Sequence, residues 1–302
     1  MRTDGMGGLG RIVTLCGIAA QALCLIATPA RAGEWRASPW LGWEAASLPD
    51  LEHNLEDFGK SARQGFLDYL HARSSDGTAG SALTRVGGNA GWGGEVTFMF
   101  SPGVGLAARA GHVAFHEGRA RAIGSGDYRE TYTESLAFRV GLTTLLAGLA
   151  FENAGSGRLS LRGSACAGVA LATAAMTQEG SFVDPDYRID MAWSDRGNLA
   201  GSGAALELAL RVQDRISPRV SLFAEGAYLM AVVDEMKWTG NVDVYRDGVI
   251  DYRKGSVLRS TRTGGALMMD FTGLRFRGGV SFAFGGPGRG PEGDEELPAE
   301  RE

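Results

Sequence analysis

The sequence predicts an all-β chain: a closed antiparallel up-and-down transmembrane β-barrel of eight strands, with one amphipathic helix in the first long loop. Three observations predict it. From Ala90 onward apolar residues recur at every second position over stretches long enough to cross a membrane, the period of a strand with one apolar face. Short and long connections alternate strictly along the chain, as in a barrel with tight turns at one end and loops at the other. The face opposite the apolar one is built from Gly, Ala and Ser with single charges, where a water-soluble sandwich would carry Lys, Thr, Glu and Gln.

Composition sets the outer bounds. Of 302 residues 46 are Gly, about twice the usual ~7%. They are dispersed among 44% apolar residues with no Gly-X-Y period, which excludes collagen and bulk disorder. Mean hydropathy is -0.08, and beyond the N-terminal segment no apolar run reaches the ~18 residues of a membrane helix. A net charge of -5 argues against nucleic acid as a partner.

Residues 1–32 read as a secretory signal peptide. Arg2 and Arg11 precede the apolar stretch Ile12 to Thr28, and Ala30-Arg31-Ala32 offers a small-x-small cleavage pattern. Leu15 and Leu23 stand before Cys16 and Cys24 where a lipid-anchor site wants a small residue. After cleavage only Cys166 remains, so no intramolecular disulfide is available. Residues 33–284 form the predicted barrel, and 285–302, acidic and rich in Gly and Pro, a disordered tail.

The strands follow in order. Leu41, Trp43 and Ala45 share one face of a first strand that should begin at or after Pro39, which cannot donate to a ladder. In 90–100, Trp92, Val96, Phe98 and Phe100 oppose Gly91, Gly93, Glu95 and Thr97. After the turn signal at Pro102, Leu106, Ala108 and Ala110 oppose Ala107, Arg109 and Gly111. In 132–151, Leu136, Phe138, Val140 and Leu142 are assigned to lipid and Arg139 to the lumen. Leu159, Leu161, Val169 and Leu171 then oppose Arg162, Ser164 and Cys166, and Leu206, Leu208 and Leu210 oppose Glu207 and Arg211. Leu222, Ala224, Tyr228 and Met230 oppose Ser221 and Glu225. The closing strand sets Leu274, Phe276, Val280, Phe282 and Phe284 against Arg275, Arg277, Gly279 and Ser281.

The predicted lumen charge network is therefore Glu95, Arg109, Arg139, Arg162, Glu207, Arg211, Glu225, Arg275 and Arg277, in a lumen just wide enough for side chains. Short turns are expected at 101–104, 152–157 (around Gly155) and 213–218, and long polar loops at 47–88, 118–130, 178–198 and 239–268. Within the first loop, Leu51, Leu55, Phe58, Ala62, Phe66 and Tyr69 fall at spacings of three and four. They predict a helix at about 48–72, with Pro49 in its first turn. Asp247-Gly248, flanked by alternating residues, reads as a hairpin that would extend strands seven and eight beyond the membrane.

The last strand, Arg277-Gly278-Gly279-Val280-Ser281-Phe282-Ala283-Phe284, resembles the terminal β-signal of the small eight-stranded outer-membrane barrel families, the OmpA/OmpX-like and OmpW-like membrane domains. The resemblance is one of pattern over about residues 35–284. It implies an outer-membrane location, and recognition of Gly279, Phe282 and Phe284 by the barrel-assembly machinery.

Catalytic chemistry is not legible. Of the four histidines, His53, His71, His112 and His116, only His112 and His116 fall near the upper end of a strand, and no Ser or acidic partner is assignable to them from sequence. Asp184-Pro185-Asp186 and Glu292 to Glu296 lack the ligand spacing of a calcium loop. No catalytic residue, metal or cofactor is predicted. The function expected is that of a monomeric surface protein of the bacterial outer membrane, in contact with outer-membrane lipid and acting through its external loops in structure, adhesion or binding of an extracellular ligand. A narrow passive channel, a lipid-modifying enzyme with its site at the rim, and a soluble secreted β-barrel binding protein are the alternatives.

Overall fold

Backbone pairing closes the chain on itself. The computed structural model describes residues 33–87, 89–101, 103–153, 158–243 and 250–285. Eight strands form the ring: β1 (Glu34–Ala45), β3 (Asn89–Ser101), β4 (Val104–Ala114), β6 (Thr131–Glu152), β7 (Leu159–Asp184), β8 (Ile189–Ser217), β9 (Val220–Val233) and β12 (Gly273–Phe284). Each pairs antiparallel with the next. The last ladder, β12 to β1, joins Phe284 with Trp35 and Leu274 with Ala45, so no edge is left in the ring. The remaining strands lie at the long-loop end. These are β2 (Gly77–Thr84), β5 (Gly118–Gly126) and the two-residue β10 (Lys237–Trp238) and β11 (Met269–Asp270). The expected signal peptide, the tail beyond Gly285, Pro102, Gly155 and the Asp247-Gly248 turn lie outside the described residues.

Around the short-turn half of the ring, outward positions are apolar or glycine and inward positions carry the polar groups. Leu41, Trp43, Trp92, Leu149, Leu161, Leu208, Leu210, Phe276 and Phe284 are exposed, while Glu95, Arg162, Glu207 and Arg211 are buried. Above this belt the pattern reverses. Inside the upper barrel sit Val113, Phe115, Phe138, Val140, Leu142, Met176, Leu199 and Leu229, one continuous apolar core.

The strands are unequal. β4 has 11 residues and β1 has 12, whereas β6, β7 and β8 have 22, 26 and 29. The three long strands rise past the ring as a wall, which β5 widens by pairing onto β6 and β2 by pairing onto β5. The polar segments expected as loops at 118–130 and 178–198 are thus largely strand. Their polar residues on both faces reflect a sheet wet on more than one side, not an absence of pairing. The predicted extension of strands seven and eight is corrected too. β9 ends at Val233 and β12 begins at Gly273, and among the described residues the flanks of the hairpin signal meet in isolated bridges, Lys237 with Val257 and Val242 with Tyr252.

The helix α1 (Pro49–Ala72) starts with Pro49 in its first turn, where the missing N–H has no helical partner in any case. Leu51, Leu55, Phe66 and Leu70 are buried against the inner face of the wall, where Ala120, Ala122 and Gly124 of β5 offer little bulk. A side chain at Gly124 would run into the ring of Phe66. Residues 234–243 and 250–271 fold back over the mouth and add Met236, Trp238, Leu267, Met269 and Phe271 to the same core. Asn54 of α1 ties the two pieces together. Its amide donates to the Arg259 carbonyl at 2.7 Å, and its carbonyl oxygen accepts from the Thr261 N–H at 2.7 Å.

One boundary differs for a local reason. β1 starts at Glu34 and runs through Pro39, because Pro39 points outward and the β12 ladder skips Ser38 and Pro39. The buried Ser38 hydroxyl donates to the Ser281 hydroxyl at 2.9 Å across that gap.

Candidate functional site

Register builds the lumen. Glu95 lies opposite Arg109, Glu225 opposite both Arg211 and Arg277, and Glu44 opposite Arg275. Each of these cross-strand couples points inward, so the groups also meet across the barrel. Arg109 reaches Glu207 at 2.7 Å and Glu225 at 3.0 Å, in addition to its contact with Glu95. Arg277 joins Glu207 and, at 2.9 Å, Glu225, and Arg211 reaches Glu225 at 2.8 Å. Arg162 and Arg211 are direct neighbours of like charge, and both turn to Glu95, at 2.9 and 3.2 Å. Arg275 binds Glu44 at 2.7 Å and Glu207 at 3.2 Å. Two rings cover the network. Arg277 lies 4.5 Å from the Trp40 ring centre and Arg211 3.9 Å from that of Phe223.

Cross-linked guanidiniums and carboxylates on β1, β3, β4, β7, β8, β9 and β12 fill the lower lumen, and the apolar core fills the upper lumen. Desolvation of each charge in a buried network of this kind offsets much of the attraction between them.

Of the nine lumen charges expected, Arg139 is placed elsewhere. Its side chain is 77% exposed on the outer face and pairs with Glu117 at 2.7 Å, while Phe138 is 3% exposed inside the core. The assignment of Phe138, and with it Leu136, Val140 and Leu142, to lipid is corrected. These positions lie above the belt, where the outer face carries Arg139 and the apolar face turns inward. On the same strand Leu145, Leu149 and Phe151 do face outward. Burial opposes the charge on Glu117, yet Arg139 and Arg119 hold its carboxyl below the usual range. Glu44 was not among the expected charges. The signal was present: Glu44 alternates with Trp43 and Ala45 and so shares the face of Gly42.

The residues expected as an assembly signal lie on the closing strand. Phe282 and Phe284 point outward at the short-turn end, and Gly279 points inward, where a side chain would meet the Phe223 ring and the Pro39 carbonyl. His112 also faces outward, beside the exposed Trp92, with Nδ1 3.0 Å from the Thr143 hydroxyl. His53 pairs with Asp57 one turn along α1, at 3.3 Å. Cys166 is a buried free thiol on the lumen side, next to Glu207 in register.

A second polar cluster fastens the end of α1 to the β7–β8 turn. Tyr69 and Arg73 both donate to the Asp184 carboxylate, and Arg73 lies 4.0 Å from the Tyr187 ring centre. Burial works against the charge on Asp184. Hydrogen bonds from Tyr69, Arg73 and the Tyr187 N–H nevertheless hold its carboxyl below the usual carboxylate range.

No protein-family model and no curated protein matches the chain. Among solved structures it is similar to the outer membrane protein OprG from Pseudomonas aeruginosa, 11% identical with a TM-score of 0.36, over 85% of this chain and 98% of that one. It is similar to Ail, the attachment invasion locus protein of Yersinia pestis, solved with the heparin analogue sucrose octasulfate. There the identity is 11% and the TM-score 0.28, over 83% of this chain and 99% of that one. The outer membrane protease OmpT from Escherichia coli is 12% identical with a TM-score of 0.35, over 84% of this chain and 96% of that one. At such scores the architecture rests on the chain's own ladders: a closed eight-stranded antiparallel barrel with an apolar outer belt, a charged lower lumen and an apolar cap.

Proposed function

We propose that this chain is a monomeric outer-membrane β-barrel protein with a closed lumen, working through its external cap as a structural, adhesive or ligand-binding surface protein. The observation that carries the reading is the belt. Outward side chains from all eight ring strands are apolar over the short-turn half, while charges are buried inside, the reverse of a protein designed for water on all sides. Only a hydrocarbon surround makes that arrangement favourable, and closure satisfies the backbone groups that hydrocarbon cannot. Trp35, Phe151 and Phe284 at the lower edge and Trp43 and Trp92 at the upper edge suit the two aromatic girdles of such a span.

The packed lumen favours the surface role over passive transport. Planar bilayers test it: the folded chain should give no step conductance above the lipid baseline, and discrete steps would overturn the closed-lumen reading. Location is tested by fractionation. The chain should follow the outer membrane and run at a heat-modifiable position on gels; recovery as a water-soluble periplasmic protein would sink the proposal. Phe282 and Phe284, outward on the closing strand, remain the residues proposed for reading by the assembly machinery. Phe282→Ala with Phe284→Ala should cut outer-membrane yield, whereas deletion of 286–302 should leave it nearly unchanged.

A further inference from the structure

We infer that a basic patch on the outer face of the wall, built from Arg119, Arg121, Arg139 and Arg196, binds the phosphate-bearing headgroups of the lipids around the barrel. The inference deepens the outer-membrane reading above and rests on it for the bilayer beside the wall.

Register gathers the patch from four strands. Arg119 of β5, Ala137 of β6, Thr177 of β7 and Arg196 of β8 stand in one row. The row above it runs Arg121, Ser135, Glu179 and Ser194, and the row below joins Arg139, Ala175 and Asn198. These positions alternate with the buried Ala120, Leu136, Phe138, Met176 and Leu199, and so point away from the core. Four arginines thus surround a floor of Ser135, Ala137, Ala175 and Thr177, where no side chain is larger than threonine. Neighbouring strands lie about 4.8 Å apart, so the backbones of Arg119 and Arg196 are about 14 Å from each other, close enough for both heads to reach one headgroup.

The charge of the patch is unbalanced. Two acids lie among the four arginines. Glu117 is shared by Arg119 and Arg139, at 2.7 Å from each, and Glu179 stands in the upper row. Arg121 and Arg196 are exposed and form no ion pair among the described residues. Past β8 the sign changes. Asp234 and Glu235 follow β9, with Lys237 held by Glu235 at 2.8 Å.

Position selects the occupant. Side chains stand roughly perpendicular to a sheet, so the patch looks sideways over the bilayer and not up from the mouth. The same face of β6 continues down through Gly141 and Thr143 to the exposed Leu145 of the belt. Thr143 lies opposite His112, whose ring is beside Trp92 at the upper edge of the belt. At about 3.3 Å per residue and a strand tilt of about 40°, Arg139 stands about 10 Å above Thr143. Headgroups extend about 5–7 Å beyond the hydrocarbon. Arginine stems reach down toward that layer, and a phosphorylated headgroup rises to meet them. There a guanidinium can fork onto two phosphate oxygens. Lipid phosphates are held at high local density beside the wall, which favours them over a dissolved anion.

The test uses the full chain folded in phosphatidylcholine vesicles with a trace of lipid spin-labelled on its acyl chain. Electron paramagnetic resonance then reads the lipid held against the protein. Two labelled lipids are compared: phosphatidylinositol 4-phosphate, and phosphatidylinositol, which lacks the distal phosphate. The phosphorylated lipid should be preferred about fivefold or more. Arg121→Gln with Arg196→Gln, at exposed side chains, should leave the heat-modifiable band and cut that preference severalfold. Glu117→Gln, which frees Arg119 and Arg139, should raise it, and Lys237→Gln should leave it unchanged. Equal association of the two lipids, an undiminished preference in the double variant, or a like loss in Lys237→Gln would overturn the inference. Displacement of the labelled lipid by equimolar inositol 1,4-bisphosphate would overturn it as well, since the patch would then take a dissolved anion. Failure of the underlying outer-membrane reading has another signature: the chain would fold and stay soluble without vesicles or detergent.

Discussion

The lower and upper halves of this barrel are built from the same strands with opposite rules. In the belt, hydrocarbon faces outward and charge inward; in the cap, apolar side chains face inward and the exposed Arg139 faces outward. β6 carries both rules on one strand. Leu145, Leu149 and Phe151 are exposed below, and Phe138, Val140 and Leu142 are buried above, with no break in the alternation between them. The backbone sets which residues share a face, whereas the surrounding medium sets which face is favourable.

The largest effect expected on breaking this contrast comes from the lumen. Glu207 accepts from Arg109, Arg275 and Arg277, so Glu207→Ala leaves buried positive charge unmatched. Removing one partner of a buried ionic group typically destabilises by about 3–5 kcal/mol. Urea unfolding of the chain in vesicles should read a loss of that order. Loss under about 1 kcal/mol would mean that water reaches the network and that the lumen is more open than its packing indicates.

Next comes the adjacent position on the opposite face. Leu208→Arg presents a charge to the proposed hydrocarbon and should destabilise by about 2–4 kcal/mol in the same assay. The matched change in the cap, Arg139→Leu, removes only the exposed pair with Glu117 and should stay within about 0.5 kcal/mol. Equal sensitivity at Leu208 and Arg139 would erase the distinction between belt and cap.

The smallest effect is local and depends on pH. The folded carboxyl of Asp184 titrates below the ordinary aspartate value, so its contribution is fully present above about pH 4. It is lost as pH falls through the lower folded value. Hydrogen exchange of the last turn of α1 should accelerate over that acidic window, and Asp184→Asn should show fast exchange at neutral pH with no acidic step. The barrel ladders should be indifferent to both. An α1 end that exchanges alike at every pH would mean that packing of Leu70, not the Tyr69–Arg73–Asp184 contact, holds it.

Much of this was legible without the fold. Period-two alternation located the ring strands, because neighbouring side chains on an extended backbone must point to opposite faces. The spacing of Leu51, Leu55 and Phe66 located the helix, and parity put Glu95, Arg109, Arg162, Glu207, Arg211, Glu225, Arg275 and Arg277 together on one side. These are properties of short stretches of chain. Only the tertiary structure decided the inward turn of Phe138, the outward turn of Arg139, the strand character of 118–126 and 178–184, and the packing of α1 on the inner face of the wall. It alone brought Glu134 of β6, Phe182 of β7 and Trp193 of β8 to one cleft with Phe66 of the helix. The physical reason is that alternation is invariant along a strand. Which face is inside depends on how the ring closes and how high each residue stands relative to the belt, and both are set by residues distant in sequence.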